Sequence, residues 1–216
     1  MTVIRKFLRL LFPPKCILCH KLLGKNETDL CHHCRSHTQS VENTKRRLTF
    51  VAGWTALWYY KDDVRKSILR YKFYNARHYA DPYARLLALK VSESLPDFDV
   101  ITWVPIGPVR RLKRGYDQGE LLAIALSREL GVPYVHSLKK PKDNPAQSGI
   151  SNEAKRRANV LGAYRILDSQ CIAGKKVLLL DDVVTTGSTV SECARMLLSA
   201  GAKEVYCAAI ATASHK

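Results

Sequence analysis

One stretch of this chain, residues 177–189, constrains its fold most strongly, and its sequence is VLLLDDVVTTGST. Val177 to Leu180 has the length and the aliphatic, β-branched content of a strand buried on both faces, as in a parallel sheet. Asp181 and Asp182 follow at the predicted carboxyl end of that strand, where ligands bind in open α/β sheets. The turn that comes next is rich in hydroxyl groups and consists of Thr185, Thr186, Gly187, Ser188 and Thr189. Because such a turn at a helix start can hold a phosphate, the run as a whole fits a sugar phosphate.

An ordinary connection between a strand and a helix, without a ligand site, is the alternative explanation of this run. A strand, a turn and a capped helix recur in many folds, and Asp is a common capping residue. Two acidic residues followed by T-T-G-S-T are harder to explain as capping, so we favour a ligand site. A P-loop is excluded, because the spacing G-x-x-x-x-G-K-[ST] is absent from the run.

Two C-x-x-C pairs near the N-terminus predict a metal site. Their pattern is C-x2-C-x11-C-x2-C, and it consists of Cys16, Cys19, Cys31 and Cys34. Four thiolates can surround zinc tetrahedrally, and a site filled by protein ligands leaves no position for catalytic water. We therefore predict a structural zinc. The neighbouring histidines could replace a thiolate, namely His20, His32 and His33. Four reduced cysteines without metal are the alternative.

The balance of charge indicates anionic partners. Lys and Arg outnumber Asp and Glu by 35 to 19, which gives a net charge of +16. The positive field attracts nucleic acid, phosphorylated metabolites or acidic lipid without distinguishing among them. Because the basic residues are spread along the chain, the charge exceeds what one small ligand needs, and nucleic acid stays a candidate partner.

The length of 216 residues allows one domain of moderate size with a small appendage. We predict a zinc-ribbon-like module with a linker at residues 1–48 and the main domain at residues 49–216. We expect neither a membrane span nor a cleavable signal, because Lys and Arg interrupt the apolar segment at residues 3–12. That basic, amphipathic segment is expected to pack on its own domain, with contact to an anionic membrane surface as the alternative. Seven cysteines without a signal favour a reducing cytoplasm over a disulfide framework.

Strand and helix patterns alternate along the rest of the chain. Apolar segments predict strands at residues 50–60, 100–104 and 205–211 and directly before residue 139. Helical periodicity predicts helices at residues 62–70, 79–95, 120–130 and 192–200. This alternation predicts an α/β fold with a parallel sheet flanked by helices on both faces.

Three loops that follow strands of this sheet should meet at one edge, and they differ in chemistry. The loop at residues 105–115 is cationic, with Arg110, Arg111, Lys113 and Arg114. The loop at residues 139–159 is long and polar, as lids and binding loops are. A cationic loop opposite the acidic, hydroxyl-rich one suits a ligand with pyrophosphate at one end and ribose 5-phosphate at the other.

The aromatic, basic segment at residues 71–74 has the sequence YKFY. Such a segment can stack and pair with nucleotides. Aromatic residues of the core at a helix end are the interpretation that we favour.

The run at residues 177–189 resembles the signature of the type I phosphoribosyltransferases. That signature is an apolar strand, two acidic residues and a T-T-G-x-T loop that binds 5-phosphoribosyl 1-pyrophosphate. The resemblance implies that Asp181 and Asp182 accept hydrogen bonds from the ribose hydroxyls and that Mg²⁺ bridges ribose and pyrophosphate oxygens. It also implies that the turn at residues 185–189 holds part of the same ligand.

The resemblance further implies a pyrophosphate site at Ile106 and Gly107. Cationic side chains around it would neutralise charge, and they are Arg110, Arg111 and Arg114. Lid residues would reach the leaving group, with Arg156 and Arg157 as the candidates and Lys155 beside them.

Nearly the whole chain resembles the ComF family. The resemblance covers the segments LFPPKCILC, ILRYKF and VPIGPVRRLKRGYDQ, together with lid residues Gln147, Arg156, Arg157 and Asn159. The family usually has Asn where this chain has Asp117. This resemblance implies a cytoplasmic protein of natural transformation, with single-stranded DNA and other competence proteins as partners. A non-enzymatic DNA-binding uptake factor and a nucleobase-salvage phosphoribosyltransferase are the alternatives.

Overall fold

The computed structural model describes residues 13–42, 46–142 and 162–213. The helices are α1 (His32–His37), α2 (Asp62–Phe73), α3 (Ala80–Ser94), α4 (Pro108–Arg114), α5 (Gln118–Leu130) and α6 (Ser188–Ser199). The strands are β1 (Gly53–Tyr59), β2 (Val100–Trp103), β3 (Leu138–Lys139), β4 (Arg165–Ile166), β5 (Lys176–Val184) and β6 (Glu204–Thr212). A turn of 3₁₀ helix at Arg77–Tyr79 leads into α3.

Four of the strands form one parallel sheet in the order β1-β6-β5-β2, while β3 and β4 pair as a small antiparallel ribbon. Strand β5 is central, and residues 177–180 are fully buried. Alternate side chains of β5 enter two different cores, because successive residues of a strand point to opposite faces. Leu178 and Leu180 pack with α3 and α5, while Val177 and Leu179 pack with α6. The predicted parallel sheet with helices on both faces is confirmed.

Strand β5 is longer than its sequence predicts. It continues to Val184 on the side of β6, where Val184 is paired with Thr212. On the other side, pairing with β2 ends where Trp103 meets Leu180. The two acidic residues therefore lie inside the strand, immediately beyond its last residue paired with β2. This one-sided ending opens the sheet edge next to them.

The N-terminal module packs directly on the main domain. The guanidinium of Arg70 in α2 donates to the carbonyl of Ile17 at 3.0 Å and to that of Leu18 at 2.5 Å. Arg85 in α3 forms a two-pronged ion pair with Asp29, with N–O distances of 2.9 and 2.5 Å. Ile17 and Leu18 share one apolar core with residues of α2 and α3. Since carbonyls next to the cysteine pairs are anchored in this way, the module is held against α2 and α3.

The segment that we predicted to be a linker also contacts the sheet. Val41 donates its amide to Leu57 of β1, and both Val41 and Leu48 are buried. Trp54 of β1 donates its indole N–H to the carbonyl of Arg46 at 2.7 Å. Residues 46–50 therefore run along β1 toward the turn that follows β5.

Two predictions fall on residues outside the described parts of the chain. The basic segment at residues 3–12 and most of the predicted lid, residues 143–159, belong to this group. The lid cations Arg156 and Arg157 therefore stay predictions. In the parts that the structure describes, no helix has both the length and the apolar character that crossing a membrane requires.

Candidate ligand site at the carboxyl edge of the sheet

Asp182 is the buried member of the acidic pair, and both of its carboxylate oxygens have partners. Lys72 of α2 lies with Nζ 2.5 Å from Oδ1, and Gln118 of α5 donates from Nε2 to Oδ2 at 2.8 Å. Two different helices therefore fix the position of one carboxylate. Each carboxylate oxygen has a second lone pair, so Asp182 can still accept a hydrogen bond from a ligand.

Asp181 is half-buried beside Asp182. One of its oxygens accepts a hydrogen bond from the backbone amide of Asp182 at 2.8 Å. Burial and the charge of Asp182 raise the pKa of Asp181 to about 8, although Lys72 acts in the opposite direction. A ligand that donates hydrogen bonds to the ionised carboxylate would displace this proton.

A chain of contacts joins the acidic pair to the cationic helix α4. Gln118, which donates to Asp182, accepts a hydrogen bond from Arg114 at 2.6 Å. The guanidinium of Arg114 also lies 4.7 Å from the centre of the Phe73 ring, and burial lowers its pKa. Arg114, which we predicted to neutralise charge, is thus linked to the carboxylate of Asp182 through Gln118.

The loop at residues 105–115 contains a helix, which corrects the prediction of an irregular loop. Helix α4 begins after Gly107, carries a proline in its first turn and has no buried residue. The absence of a buried face explains why no apolar periodicity marked it. Arg111 is turned toward Glu120, with an N–O distance of 3.0 Å, and Arg110 is exposed. Of the three predicted cations, Arg114 is linked to the acidic pair through Gln118, whereas Arg111 pairs with Glu120.

Asp117 holds the predicted pyrophosphate loop in place. Its Oδ2 accepts the backbone N–H of Ile106 at 3.0 Å, and its Oδ1 accepts those of Gly119 at 2.9 Å and Glu120 at 3.4 Å. The second pair of bonds caps the N-terminus of α5, where a negative charge is favourable. The carboxylate of Asp117 therefore accepts hydrogen bonds through both of its oxygens, at a position where the ComF family usually has the amide side chain of Asn.

The hydroxyl-rich turn connects β5 to α6 through a left-handed glycine. Gly187 has φ +77°, and a Cβ atom built on it would collide with Leu48 Cδ2. The hydroxyls of Thr186 and Ser188 lie 2.9 Å apart, and Arg46 donates to the carbonyl of Thr185. Only glycine combines this backbone with so close an approach of the linker.

The aromatic segment at residues 71–74 is divided between core and surface. Tyr71 is fully buried and donates its hydroxyl to the carbonyl of Gln118 at 2.6 Å. Phe73 and Tyr74 are 60% and 75% exposed. Our preference for core aromatics is therefore right for Tyr71 and wrong for the other two, which lie on the surface.

The four cysteines of the N-terminal pairs form one compact cluster. Their sulfur atoms all lie within 4.8 Å of one another, and those of Cys19 and Cys31 are 3.6 Å apart. Zn–S bonds of about 2.3 Å in a tetrahedron require sulfur separations of about 3.8 Å, so the cluster fits zinc. Burial and the neighbouring thiols raise the pKa of Cys34, a cost that a bound cation would remove. The cluster includes none of His20, His32 or His33.

Three residues of the site were not predicted from the sequence. They are Lys72, Gln118 and Arg46, and each reaches the site from an element that is distant in sequence. Lys72 and Gln118 lie within segments shared with the ComF family, so that resemblance was the signal that could have identified them. Nothing in the composition of the linker distinguished Arg46 from its basic neighbours.

Family models match two parts of the chain. Residues 117–216 match the phosphoribosyl transferase domain, and residues 7–45 match the double zinc ribbon domain. Together with the parallel sheet, the acidic pair and the hydroxyl-rich turn, these matches define a protein of the phosphoribosyltransferase fold with an N-terminal zinc ribbon. The four clustered cysteines have the number and the close spacing with which a zinc ribbon holds its metal, which supports a structural zinc.

Similar proteins from bacteria show to which family within this class the chain belongs. Competence protein F of Haemophilus influenzae is 32% identical over 188 residues, which cover 81% of each chain. DNA utilization protein YhgH of Escherichia coli K12 is 32% identical over 89% of this chain and 88% of that protein. Competence protein ComFC of Streptococcus pneumoniae is 30% identical over 69% of this chain and 64% of that protein. The chain belongs to the ComF family.

Solved structures of similar fold come from larger and smaller enzymes. The allosteric regulatory enzyme of purine biosynthesis aligns with a TM-score of 0.46 and 23% identity, over 66% of this chain and 30% of that one. Purine phosphoribosyltransferase from Pyrococcus horikoshii aligns with a TM-score of 0.37 and 23% identity, over 62% of this chain and 72% of that one.

Proposed function

We propose that this protein binds 5-phosphoribosyl 1-pyrophosphate with Mg²⁺ at the carboxyl edge of β5 and that it acts in the handling of incoming single-stranded DNA. The observation that carries the first part is the contact chain from the acidic pair through Gln118 to Arg114. This chain of contacts places carboxylates that can accept hydrogen bonds from ribose hydroxyls close to a cation that can bind phosphate.

Different residues of this site bind different parts of the ligand. Asp181 and Asp182 accept the hydrogen bonds of the ribose hydroxyls, and the turn at residues 185–189 holds the 5-phosphate with amides and hydroxyls. The pyrophosphate lies against Ile106 and Gly107, with Arg114 to neutralise part of its charge. The oxygen-rich donor set fits a Mg²⁺–pyrophosphate group, and the metal would supply charge neutralisation of the leaving group.

Such a site needs no nucleophile from the protein. Displacement of pyrophosphate from the anomeric carbon proceeds through a transition state with oxocarbenium character. The chain contributes by fixing the ribose, by neutralising the leaving group and by excluding water. The rigid hold of Lys72 and Gln118 on Asp182 supports this role, because a carboxylate that is already oriented loses little freedom on binding.

Calorimetric titration of 5-phosphoribosyl 1-pyrophosphate, with and without Mg²⁺, tests this assignment. We expect binding that requires Mg²⁺ and that falls at least about tenfold in Asp181→Asn, the loss expected for one charge-assisted hydrogen bond. Asp97→Asn removes an exposed carboxylate before β2 and serves as the matched control. Absence of heat with the unaltered protein and Mg²⁺ contradicts the assignment. Pyrophosphate release with a panel of nucleobases then separates salvage from the other functions.

A specific surface favours the second part of the proposal, contact with single-stranded DNA. Phe73 and Tyr74 are exposed, and Phe73 lies against Arg114 of the basic helix α4, whose Arg110, Arg111 and Lys113 are also exposed. Rings beside cations suit a strand whose bases stack while its phosphates pair with the cations. This surface adjoins the acidic pair through Arg114, which lies over the Phe73 ring.

Fluorescence anisotropy with a labelled oligothymidylate tests this surface. We expect the affinity to fall steeply with salt and to drop at least about fivefold in Tyr74→Ala, since stacking contributes about 1–3 kcal/mol per base. Tyr134→Ala removes another exposed ring and should leave the affinity unchanged. Equal losses in both variants, or no binding at low salt, would remove this role from the surface.

A further inference from the structure

A second cavity lies beside the hydroxyl-rich turn, between the linker and helix α6. Its volume is about 290 Å³, and neither Asp181 nor Asp182 lines it. One wall consists of residues 46–50, and the other is built from Thr186, Ser188 and the outer face of α6. We propose that this cavity binds a nucleoside 5′-monophosphate unit, as a free nucleotide or as the phosphorylated end of a DNA strand.

The charges of the cavity select an anion. Three guanidiniums line it, those of Arg46, Arg47 and Arg195, against a single carboxylate, that of Glu192. Glu192 is already neutralised by Arg195, with two N–O distances of 2.9 Å, and this contact lowers its pKa. The cavity therefore keeps a positive excess that comes from the linker arginines.

Hydroxyl groups complete the phosphate-binding chemistry. The side chains of Thr186, Ser188 and Ser191 line the wall opposite the linker. A hydroxyl both donates and accepts, so these groups can meet a phosphate monoester whatever its protonation state. Guanidinium and hydroxyl donors on facing walls let one phosphate bridge the two sides of the cavity.

An exposed ring that lines the cavity indicates a place for the base of a nucleotide. Phe50 lines the cavity, is 48% exposed and has φ +66°. A left-handed backbone is a strained conformation for a bulky aromatic residue, and such strain is kept mostly where a function maintains it. Neighbouring Leu48 is buried against Gly187, which fixes the linker backbone on which the ring stands. A ring presented to solvent beside cations is suited to stacking on a base.

The size of the cavity agrees with one nucleotide unit. Pockets for small ligands begin at about 300 Å³. A cavity at this lower limit has room for a single nucleoside monophosphate. Because only Thr186 and Ser188 are shared with the turn of the first site, the two sites can be tested separately.

Calorimetry with 2′-deoxyadenosine 5′-monophosphate tests the proposal on the full chain. Arg47→Glu reverses an exposed charge of the cavity and should weaken binding at least about tenfold. Lys203→Glu makes the same change of charge at the opposite end of the sheet and should leave binding unchanged. Phe50→Asn removes the ring but introduces a residue that tolerates the left-handed backbone. This variant should bind the nucleotide at least about fivefold more weakly, while its affinity for inorganic phosphate should stay unchanged.

Further experiments distinguish this cavity from the site at the acidic pair and identify the source of the ligand. The double variant Asp181→Asn/Asp182→Asn should still bind the nucleotide, even if it no longer binds 5-phosphoribosyl 1-pyrophosphate. Binding of a short 5′-phosphorylated oligothymidylate, but not of its 5′-hydroxyl form, assigns the site to DNA ends. Binding of the free nucleotide alone assigns it to a free nucleotide. The proposal is overturned if Arg47→Glu binds as tightly as Lys203→Glu, or if deoxyadenosine without phosphate binds equally well.

Discussion

Lys72 and Asp182 form an ion pair with an N–O distance of 2.5 Å, and it joins helix α2 to the centre of the sheet. Both side chains are largely buried, and Gln118 holds the other carboxylate oxygen at 2.8 Å. The pair fixes one half of the acidic signature before any ligand arrives. It also balances part of the charge that two adjacent carboxylates bring to the sheet edge.

Removal of this cation should destabilise the fold. Lys72→Met leaves Asp182 without its ion-pair partner in a buried position, and we expect the free energy of unfolding to fall by about 3 kcal/mol. Lys66→Met breaks an exposed pair of the same helix, with Asp63, and should change it by less than about 0.5 kcal/mol. Urea denaturation measures both values. Equal losses would mean that the buried pair adds nothing beyond a surface contact.

The raised pKa of Asp181 predicts a pH dependence of stability. Between about pH 4, where an unfolded aspartate titrates, and about pH 8, the folded protein binds this proton more tightly than the unfolded chain does. The contribution of Asp181 is therefore largest at low pH, and the free energy of unfolding falls as the pH rises through this range. Urea denaturation of the unaltered protein and Asp181→Asn at several pH values isolates the effect. A difference between them that does not change with pH would contradict the raised pKa.

Gly187 should tolerate no side chain. Gly187→Ala combines a left-handed backbone with a collision against Leu48, whereas Gly131→Ala has the same backbone with open space around it. We expect a loss of about 1 kcal/mol at Gly131 and a further loss of about 1–3 kcal/mol at Gly187. Thermal denaturation compares the two variants. The further Leu48→Ala substitution should recover part of the loss at Gly187, and no difference between the two glycines would refute the close packing.

Zinc should be required for the stability of the whole chain. One zinc per chain is expected by X-ray fluorescence, and it should be lost in Cys31→Ser but kept in Cys171→Ser. Loss of the metal frees the carbonyls of Ile17 and Leu18 that Arg70 holds, so we expect the melting temperature to fall by about 10 °C. A purified protein without zinc that melts at the same temperature would exclude a structural role.

The sequence predicted the parts of this molecule whose chemistry is local. The run at residues 177–189 identified the central strand and the turn, because buried apolar residues and adjacent carboxylates are visible without the fold. It missed the true end of β5, since that end depends on β6 pairing to Val184 while β2 stops at Leu180. Helix α4 was missed because it buries no residue and so leaves no periodic pattern.

Long-range partners of the site were beyond sequence reasoning for a physical reason. Lys72 and Asp182 are 110 residues apart, and Arg46 and Thr185 are 139 apart. Such contacts arise when helices and linker fold back over the sheet edge, and no local pattern specifies which basic residue arrives there. The sequence indicated abundant positive charge, and the fold determines which of those charges face the carboxylates.

A structure of the protein crystallised with 5-phosphoribosyl 1-pyrophosphate and Mg²⁺ tests the central claim most directly. We predict the ribose hydroxyls within hydrogen-bond distance of Asp181 and Asp182, with the 5-phosphate in the turn at residues 185–189. The pyrophosphate should lie against Ile106 and Gly107 on the side of Arg114. Electron density for the ligand at any other place, or none under conditions that saturate related enzymes, would contradict the assignment of this sheet edge.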